Sequence, residues 1–244
     1  HLIMDEHSFE RTAHEALDFV AHHKSLLTLG IKPSRPDTGY GYIQYDTEQE
    51  IDKVYKVKTF TEKPSLELAR TFLKSGDFLW NSGIFVWNVQ TIMEALKQYL
   101  PEMDEVFAQA KDVYNTPAEH DVITKLYPHC TNISIDYGIM EKARNVYVIP
   151  SYFGWCDLGT WESAYDNCTK DYLGNAVLGD NVMVIDATEC MIKAPNEKLV
   201  VLQGLEKFIV VDTPDILLIC ERNREQQIKE YVAEVKRNKG DKFL

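Results

Sequence analysis

Glu62-Lys63-Pro64 sets a carboxylate beside an ammonium, just after an alternating apolar stretch and just before a helical one. In open α/β sheets, ligands gather outside the carboxyl ends of strands. At such a place Glu62 can accept hydrogen bonds from two neighbouring hydroxyls, and Lys63 supplies a point charge for a phosphate. The competing reading is a solvated ion pair ahead of a helix. A second constellation is Trp80-Asn81-Ser82-Gly83-Ile84-Phe85-Val86-Trp87. Its ends are those of a strand, but its middle holds a carboxamide, a hydroxyl and a glycine where apolar side chains belong. A buried carboxamide without partners costs about 1–3 kcal/mol, and glycine inside a strand often marks a close approach to the backbone. Together they point to a polar ligand lying over a sheet, with Asn81 as its reader and Gly83 as clearance. A β-bulge with a satisfied Asn is the alternative.

Three further stretches carry polar groups in unusual company. Thr38-Gly39-Tyr40-Gly41-Tyr42 puts two glycines beside a strand start, where backbone N–H groups can come close to a ligand. Gln44 stands where the third glycine of G-x-G-x-x-G would be, so this is no dinucleotide fingerprint. Ser134-Ile135-Asp136-Tyr137-Gly138 holds an Asp between apolar neighbours, either as the N-cap of a short helix or aimed into a cleft. In Gly154-Trp155-Cys156-Asp157-Leu158-Gly159-Thr160-Trp161, Asp157 is an N-cap for the following helix, a ligand for a hard cation such as Mg²⁺, or both. His14-Glu15 lacks the second His of a zinc-protease helix, and no nucleophile-elbow motif is present.

The elements that must hold these groups alternate between the two periodicities. Residues 8–24 have the apolar spacing of a helix, with Ser8 as N-cap; Leu26 to Ile31 is a short buried strand; 33–41, with its prolines and glycines, is a loop. Strands follow at Tyr40 to Tyr45 and Val54 to Phe60, and a helix runs from Pro64-Ser65 to Gly76. After the strand Leu79 to Trp87 come three helical patterns within 89–127, the second opened by Pro101, then a strand at Val146 to Ile149 and a short helix at Leu158 to Tyr165. This order predicts an α/β layer fold with a substantially parallel or mixed sheet over residues 1–170. From about 171 to 244 the pattern changes to short strands at 182–185, 191–193, 199–202, 208–211 and 216–220, with a closing amphipathic helix at 223–238 carrying Ile228, Tyr231, Val232 and Val235 on one face. The β-rich module is a coiled sheet or a β-helix, with the boundary near 168–175.

At 45% hydrophobic the chain can bury a full core, and 38 acidic against 26 basic residues give a net charge of −12. No basic run is present, which argues against nucleic acid or an anionic membrane as a partner. Five cysteines without C-x-x-C spacing suit free thiols in a reducing, cytoplasmic setting. The β-rich tail is a candidate surface for homo-oligomer contact.

Taken in order, the opening His-Leu-Ile, TGYGYI, FTEKP, WNSGIFVW, SIDYGIMEK and GWCDLGTW resemble the mannose-1-phosphate guanylyltransferases of the nucleotidyltransferase family. The resemblance is dense over residues 1–165 and looser beyond. It implies a Rossmann-like mixed sheet followed by a β-rich module, and transfer of GMP from GTP to mannose 1-phosphate with release of pyrophosphate and Mg²⁺ as cofactor. By the same resemblance Tyr40 and Gly41 line the sugar pocket, Glu62 binds mannose hydroxyls, Lys63 the sugar phosphate, and Asn81 a further hydroxyl. Asp136 shapes the sugar site and Asp157 holds Mg²⁺. The family's Gly-rich loop, G-x-G-T-R-L with a following P-K, is not found in these 244 residues. The expectation is therefore a chain that lacks the base and triphosphate segment, does not catalyse by itself, and exposes a sheet edge where the first strands are missing. The same chemistry on another sugar or base, or a non-catalytic subunit with this fold, are the alternatives.

Overall fold

The computed structural model describes residues 1–243. They divide into two compact units, Ile3–Trp155 and Cys156–Leu244, the latter taking in His1–Leu2. In chain order the elements up to the division are β1 (Leu2–Ile3), α1 (Glu6–His22), β2 (Leu26–Ile31), β3 (Tyr42–Ile51), β4 (Val54–Thr61), α2 (Leu66–Ser75), β5 (Phe78–Trp87), α3 (Val89–Tyr99), α4 (Pro101–Ala108), α5 (Glu119–Leu126) and β6 (Val146–Ser151).

The sheet of the first unit is mixed: β2 runs parallel to β6 and antiparallel to β5, while β3 is antiparallel to both β4 and β5. β2 is buried along its whole length, as a strand packed on both faces must be. Its alternate residues divide between two cores. Leu27, Leu29 and Ile31 pack with Phe19 and Val20 of α1, with Tyr42 and Trp80, and with Phe153. Leu26 joins Ile43, Leu79, Val148, Ala95 of α3 and the buried pair Ile139 and Met140 on the other side.

The expected exposed edge is absent among the described residues, because the strands close into a ring in the order β2-β5-β3-β4-β6. The cause is the long hairpin of β3 and β4. Its register slips between Gln44 and Tyr45 and again between Asp46 and Glu50, and such bulges bend and twist a strand. Bent in this way, β4 reaches β6 through Tyr55 and Lys56, opposite Val148 and Tyr147.

Gly30 lets β2 into this ring. A Cβ there would lie 2.6 Å from both Leu79 Cδ1 and Val148 Cγ2. Gly30→Val is expected to overpack the core and destabilise by about 1–3 kcal/mol, read as a lower urea midpoint. An unchanged midpoint would mean that Leu79 and Val148 can step aside.

Helix ends follow local chemistry. α1 starts earlier than the pattern suggests, since Asp5, in extended backbone, accepts from the Ser8 N–H at 2.9 Å; Asp5 and not Ser8 is the cap. Ser65 caps α2, and Gly76, at φ 81°, ends it.

The second unit holds β7 (Trp155–Cys156, straddling the division), α6 (Trp161–Asn167), β8 (Ala176–Leu178), β9 (Val182–Ile185), β10 (Met191–Lys193), β11 (Val200–Gln203), β12 (Phe208–Asp212), β13 (Leu217–Glu221) and α7 (Ile228–Lys239). β8, β10 and β12 pair in parallel, as do β9 and β11. Successive strands thus fall alternately in two sheets, which is the winding of a β-helix, closed by antiparallel β13. The short helix begins at Trp161 instead of Leu158, because Thr160 and Ser163 form a capping box there. α7 has no buried residue; Ile228 packs against the core while Val232 stays exposed, so the expected apolar face is only partly used. No helix among the described residues is long and apolar enough to cross a membrane.

Candidate functional site

Several elements of the first unit converge on Asn81. It lies where the pairing of β5 with β2 slips between Thr28 and Gly30. The strand does bulge here and the Asn is satisfied, by the polar groups around it. Its Oδ1 accepts from the Thr28 hydroxyl and from the Gly83 N–H, each at 3.1 Å. Its Nδ2 donates to Asp136 Oδ1 at 3.0 Å, and its backbone N–H to the Gly41 carbonyl at 2.8 Å.

The two glycines differ in what surrounds them. A Cβ on Gly83 would meet nothing within 4 Å. Gly83 has a φ of 70°, which favours glycine by itself and turns its N–H back onto Asn81. Close approach belongs to Gly41, where a Cβ would stand 2.8 Å from Glu62 Oε2 and 3.5 Å from Asn81 Cβ.

Glu62 and Lys63 follow β4, as the strand-end reading requires. Lys63 Nζ lies 2.8 Å from Glu62 Oε1, with the Glu62 side chain 11% exposed and that of Lys63 52%. Lys63 holds φ at 41°, an uncommon conformation for a residue with a side chain. The hydrogen bond from Lys63 to Glu62 holds the ammonium above its ordinary pKa, with the charges of Glu62 and Asp136 adding to it against partial burial.

Asp136 opens a π-turn, Asp136–Met140, which makes no side-chain cap bond. It is therefore not an N-cap; its carboxylate turns to Asn81. Burial raises its pKa first and the charge of Glu62 second, against hydrogen bonds from Ser134 and Asn81. The turn closes from the Glu141 N–H to the Asp136 carbonyl, five residues back, at 2.9 Å. That spacing brings in Glu141, whose carboxylate accepts the backbone N–H of Glu62 and whose pKa is raised by burial and then by Glu62 and Asp136. Sequence reasoning passed over Glu141, because a 3.6-residue period does not stack residues five apart.

The Tyr40 ring is buried in the core, 5.0 Å from Trp80 and 5.3 Å from Trp155. The loop before it is pinned by Arg35, which bonds Asp37 at 3.0 Å, while Asp37 accepts the Gly39 N–H at 2.8 Å and its carbonyl accepts the Tyr42 hydroxyl.

Asp157 belongs to the second unit. Its Oδ1 accepts the Gly159 N–H at 3.0 Å, and Thr160 caps α6, so the N-cap reading of Asp157 fails. Among the described residues no three His, Cys, Asp or Glu side chains gather as a metal site of their own. A carboxylate held in a tight turn still fits what Mg²⁺ takes from protein, one or two carboxylates with phosphates and water completing the shell.

The first-unit cluster thus offers the carboxylates of Glu62, Asp136 and Glu141, the Asn81 carboxamide, and the Lys63 ammonium paired with Glu62. Carboxylates accept from hydroxyls, the carboxamide donates, and the ammonium suits one phosphate. The group is suited to binding a polyhydroxyl monophosphate.

Asp136 carries a testable cost. Its folded pKa lies above the unfolded value, so stability falls as pH rises from the unfolded toward the folded value and then levels off. Asp136→Asn, which keeps an acceptor for Asn81, should be more stable than the parent at neutral pH, with the advantage shrinking as pH falls through the ordinary carboxylate range. Urea melts from pH 3.5 to 7 (roughly the span around a carboxylate pKa) check this.

Residues 2–173 match the family model described as Nucleotidyl transferase. Residues 180–235 match that of the MannoseP isomerase/GMP-like beta-helix domain. The chain is 34% identical over 242 residues to the mannose-1-phosphate guanylyltransferase of Salmonella montevideo, covering 97% of this chain and 50% of that protein. It is 34% identical over 241 residues to the alginate biosynthesis protein AlgA of Pseudomonas aeruginosa, with 96% and 49% covered. The chain spans about half the length of the curated relatives it matches. Among solved structures, a Thermus thermophilus protein described as a mannose-1-phosphate geranyltransferase superposes with a TM-score of 0.80 at 26% identity, covering 96% of this chain and 67% of that one.

Proposed function

Because this chain belongs to the nucleotidyl transferase family, we propose that Glu62, Lys63, Asn81 and Asp136 form the mannose 1-phosphate site of an enzyme that transfers GMP from GTP to that sugar phosphate. The observation that carries this reading is the joining of constellations separate in sequence into one polar group: Asn81 is bonded to Asp136 at 3.0 Å, Gly41 gives its carbonyl to the Asn81 N–H, and the Glu62 carboxylate lies against Gly41. The names of the relatives support the choice of mannose 1-phosphate and of a guanylyl donor.

In the reaction, a phosphate oxygen of the sugar attacks the α-phosphorus of GTP, the bond to the β-phosphate oxygen breaks, and pyrophosphate leaves. The nucleophile is already an anion, so the site needs positioning and charge stabilisation more than a general base. Glu62 accepts from two sugar hydroxyls, Asn81 donates to a third, and Lys63 holds the phosphate. Asp157 would hold Mg²⁺, which when bound supplies positive charge to the crowded phosphates. The Gly-rich loop expected to cradle GTP is not among these 244 residues, and by themselves they are proposed to bind the sugar phosphate without guanylyl transfer. Five free cysteines suit a reducing cytoplasmic setting.

Calorimetric titration of the chain with mannose 1-phosphate, mannose, glucose 1-phosphate and GTP tests this. Saturable binding of mannose 1-phosphate, much weaker for mannose, is expected. GTP binding without any sugar-phosphate binding would contradict it.

A further inference from the structure

We propose that Thr28, a buried hydroxyl on β2, is a positioning residue that, together with the Gly83 N–H, sets which face of the Asn81 carboxamide meets the sugar. The inference rests on the sugar-phosphate reading of this site.

Thr28 is fully buried between Leu27 and Leu29 in a strand otherwise made of apolar residues and Gly30. Valine has nearly the same shape and suits a strand as well, so packing alone does not call for the hydroxyl. That hydroxyl lies 3.1 Å from Asn81 Oδ1 and 3.2 Å from the Ile84 carbonyl. Both neighbours are acceptors, so Thr28 donates, its one proton shared between them. The Gly83 N–H also donates to Oδ1, and the left-handed backbone at Gly83 makes that contact reachable.

Two donors therefore converge on one end of the carboxamide. A flipped Asn81 would point its NH₂ at the Gly83 N–H, donor against donor. The flip is disfavoured, and Nδ2 is committed to the opposite side. Nδ2 carries two hydrogens. One goes to Asp136 Oδ1 at 3.0 Å; the other is what the site presents to a sugar hydroxyl oxygen. The same bond orients the Asp136 carboxylate, so the Thr28 hydroxyl and the Gly83 N–H together set both a donor and an acceptor on the sugar side. A site with fixed donor and acceptor directions discriminates between sugars that differ only in hydroxyl configuration, because the wrong epimer leaves a buried polar group unpaired.

Thr28→Val and Thr28→Ser, titrated with mannose 1-phosphate and glucose 1-phosphate, test this, alongside the side-chain amide NMR signals of Asn81 and a thermal melt of each variant. The expected result is a loss of about tenfold in mannose 1-phosphate affinity and in preference over glucose 1-phosphate for Thr28→Val, with Asn81 signals shifted and broadened. Thr28→Ser, which restores the donor, should behave like the parent. Parent-like affinity and preference in a folded Thr28→Val would overturn the proposal. If the parent binds neither sugar phosphate, the functional reading fails instead; the positioning role then stands or falls on the Asn81 signals, and unshifted signals in Thr28→Val would end it.

Discussion

Glu62→Ala should reduce mannose 1-phosphate affinity by about a hundredfold or more. Each hydrogen bond from a hydroxyl to an ionised carboxylate contributes about 1.5–3 kcal/mol, Glu62 is proposed to make two, and each step of about 1.4 kcal/mol is tenfold in affinity. The variant also frees Lys63 from its 2.8 Å partner, which strengthens its hold on a bare phosphate and offsets part of the loss. Comparing ligands separates the two effects. Affinity for mannose 1-phosphate should fall steeply, while inorganic phosphate binding should hold or improve. Lys63→Ala should show the reverse division, losing the phosphate contribution and keeping the hydroxyl contribution. If Glu62→Ala weakened both ligands equally, the carboxylate would be supporting the loop rather than reading the sugar. Melting curves guard against an unfolded variant.

Asp157→Asn, in a protein carrying this chain together with a Gly-rich nucleotide segment, should lower Mg²⁺-dependent pyrophosphate release by about a thousandfold or more. An amide has the size of a carboxylate but no charge, and a hard divalent cation draws its affinity from charged oxygen. Asn can still accept from the Gly159 N–H, as Asp157 Oδ1 does at 3.0 Å, so the turn and α6 behind it should keep their fold. The Thr160–Ser163 capping box holds that helix independently. A second readout is Mg²⁺ protection against thermal unfolding, expected to vanish in the variant. Equal turnover in variant and parent would remove Asp157 from the metal role.

The sequence carried much of this fold because its signals are local. β2 spans the apolar run Leu26–Ile31, Ser65 and Gly76 bracket α2, and Pro101 opens α4; each reflects a backbone preference that a residue imposes on itself or its neighbours. The closure of the sheet was not legible. It depends on two register slips in a hairpin, and a slip leaves no mark on composition. β8 went unseen because its three residues, Ala176–Leu178, are too few to show alternation.

The site divides along the same line. Glu62, Lys63 and Asn81 stood out because charged and amide groups sat at strand ends or within a strand, where burial makes polarity conspicuous. Tyr40 and Gly83 read two ways in the sequence for a physical reason: an aromatic beside a glycine loop can face a ligand or the core, and a glycine can answer to space or to φ. Only the folded chain separates these, through the 5.0 Å packing of Tyr40 on Trp80 and the φ of 70° at Gly83. Thr28 and Glu141 were hidden because each acts through another residue, across 53 positions to Asn81 in one case and through a π-turn to the Glu62 backbone in the other.

Whether these groups form one hexose 1-phosphate site is tested most directly by a crystal structure of the chain grown with mannose 1-phosphate. The phosphate should lie within hydrogen-bond distance of Lys63 Nζ, with sugar hydroxyls on the Glu62 carboxylate and on Asn81 Nδ2. A sugar phosphate seated elsewhere, with Glu62 and Lys63 still closed on each other and Asn81 untouched, would contradict it.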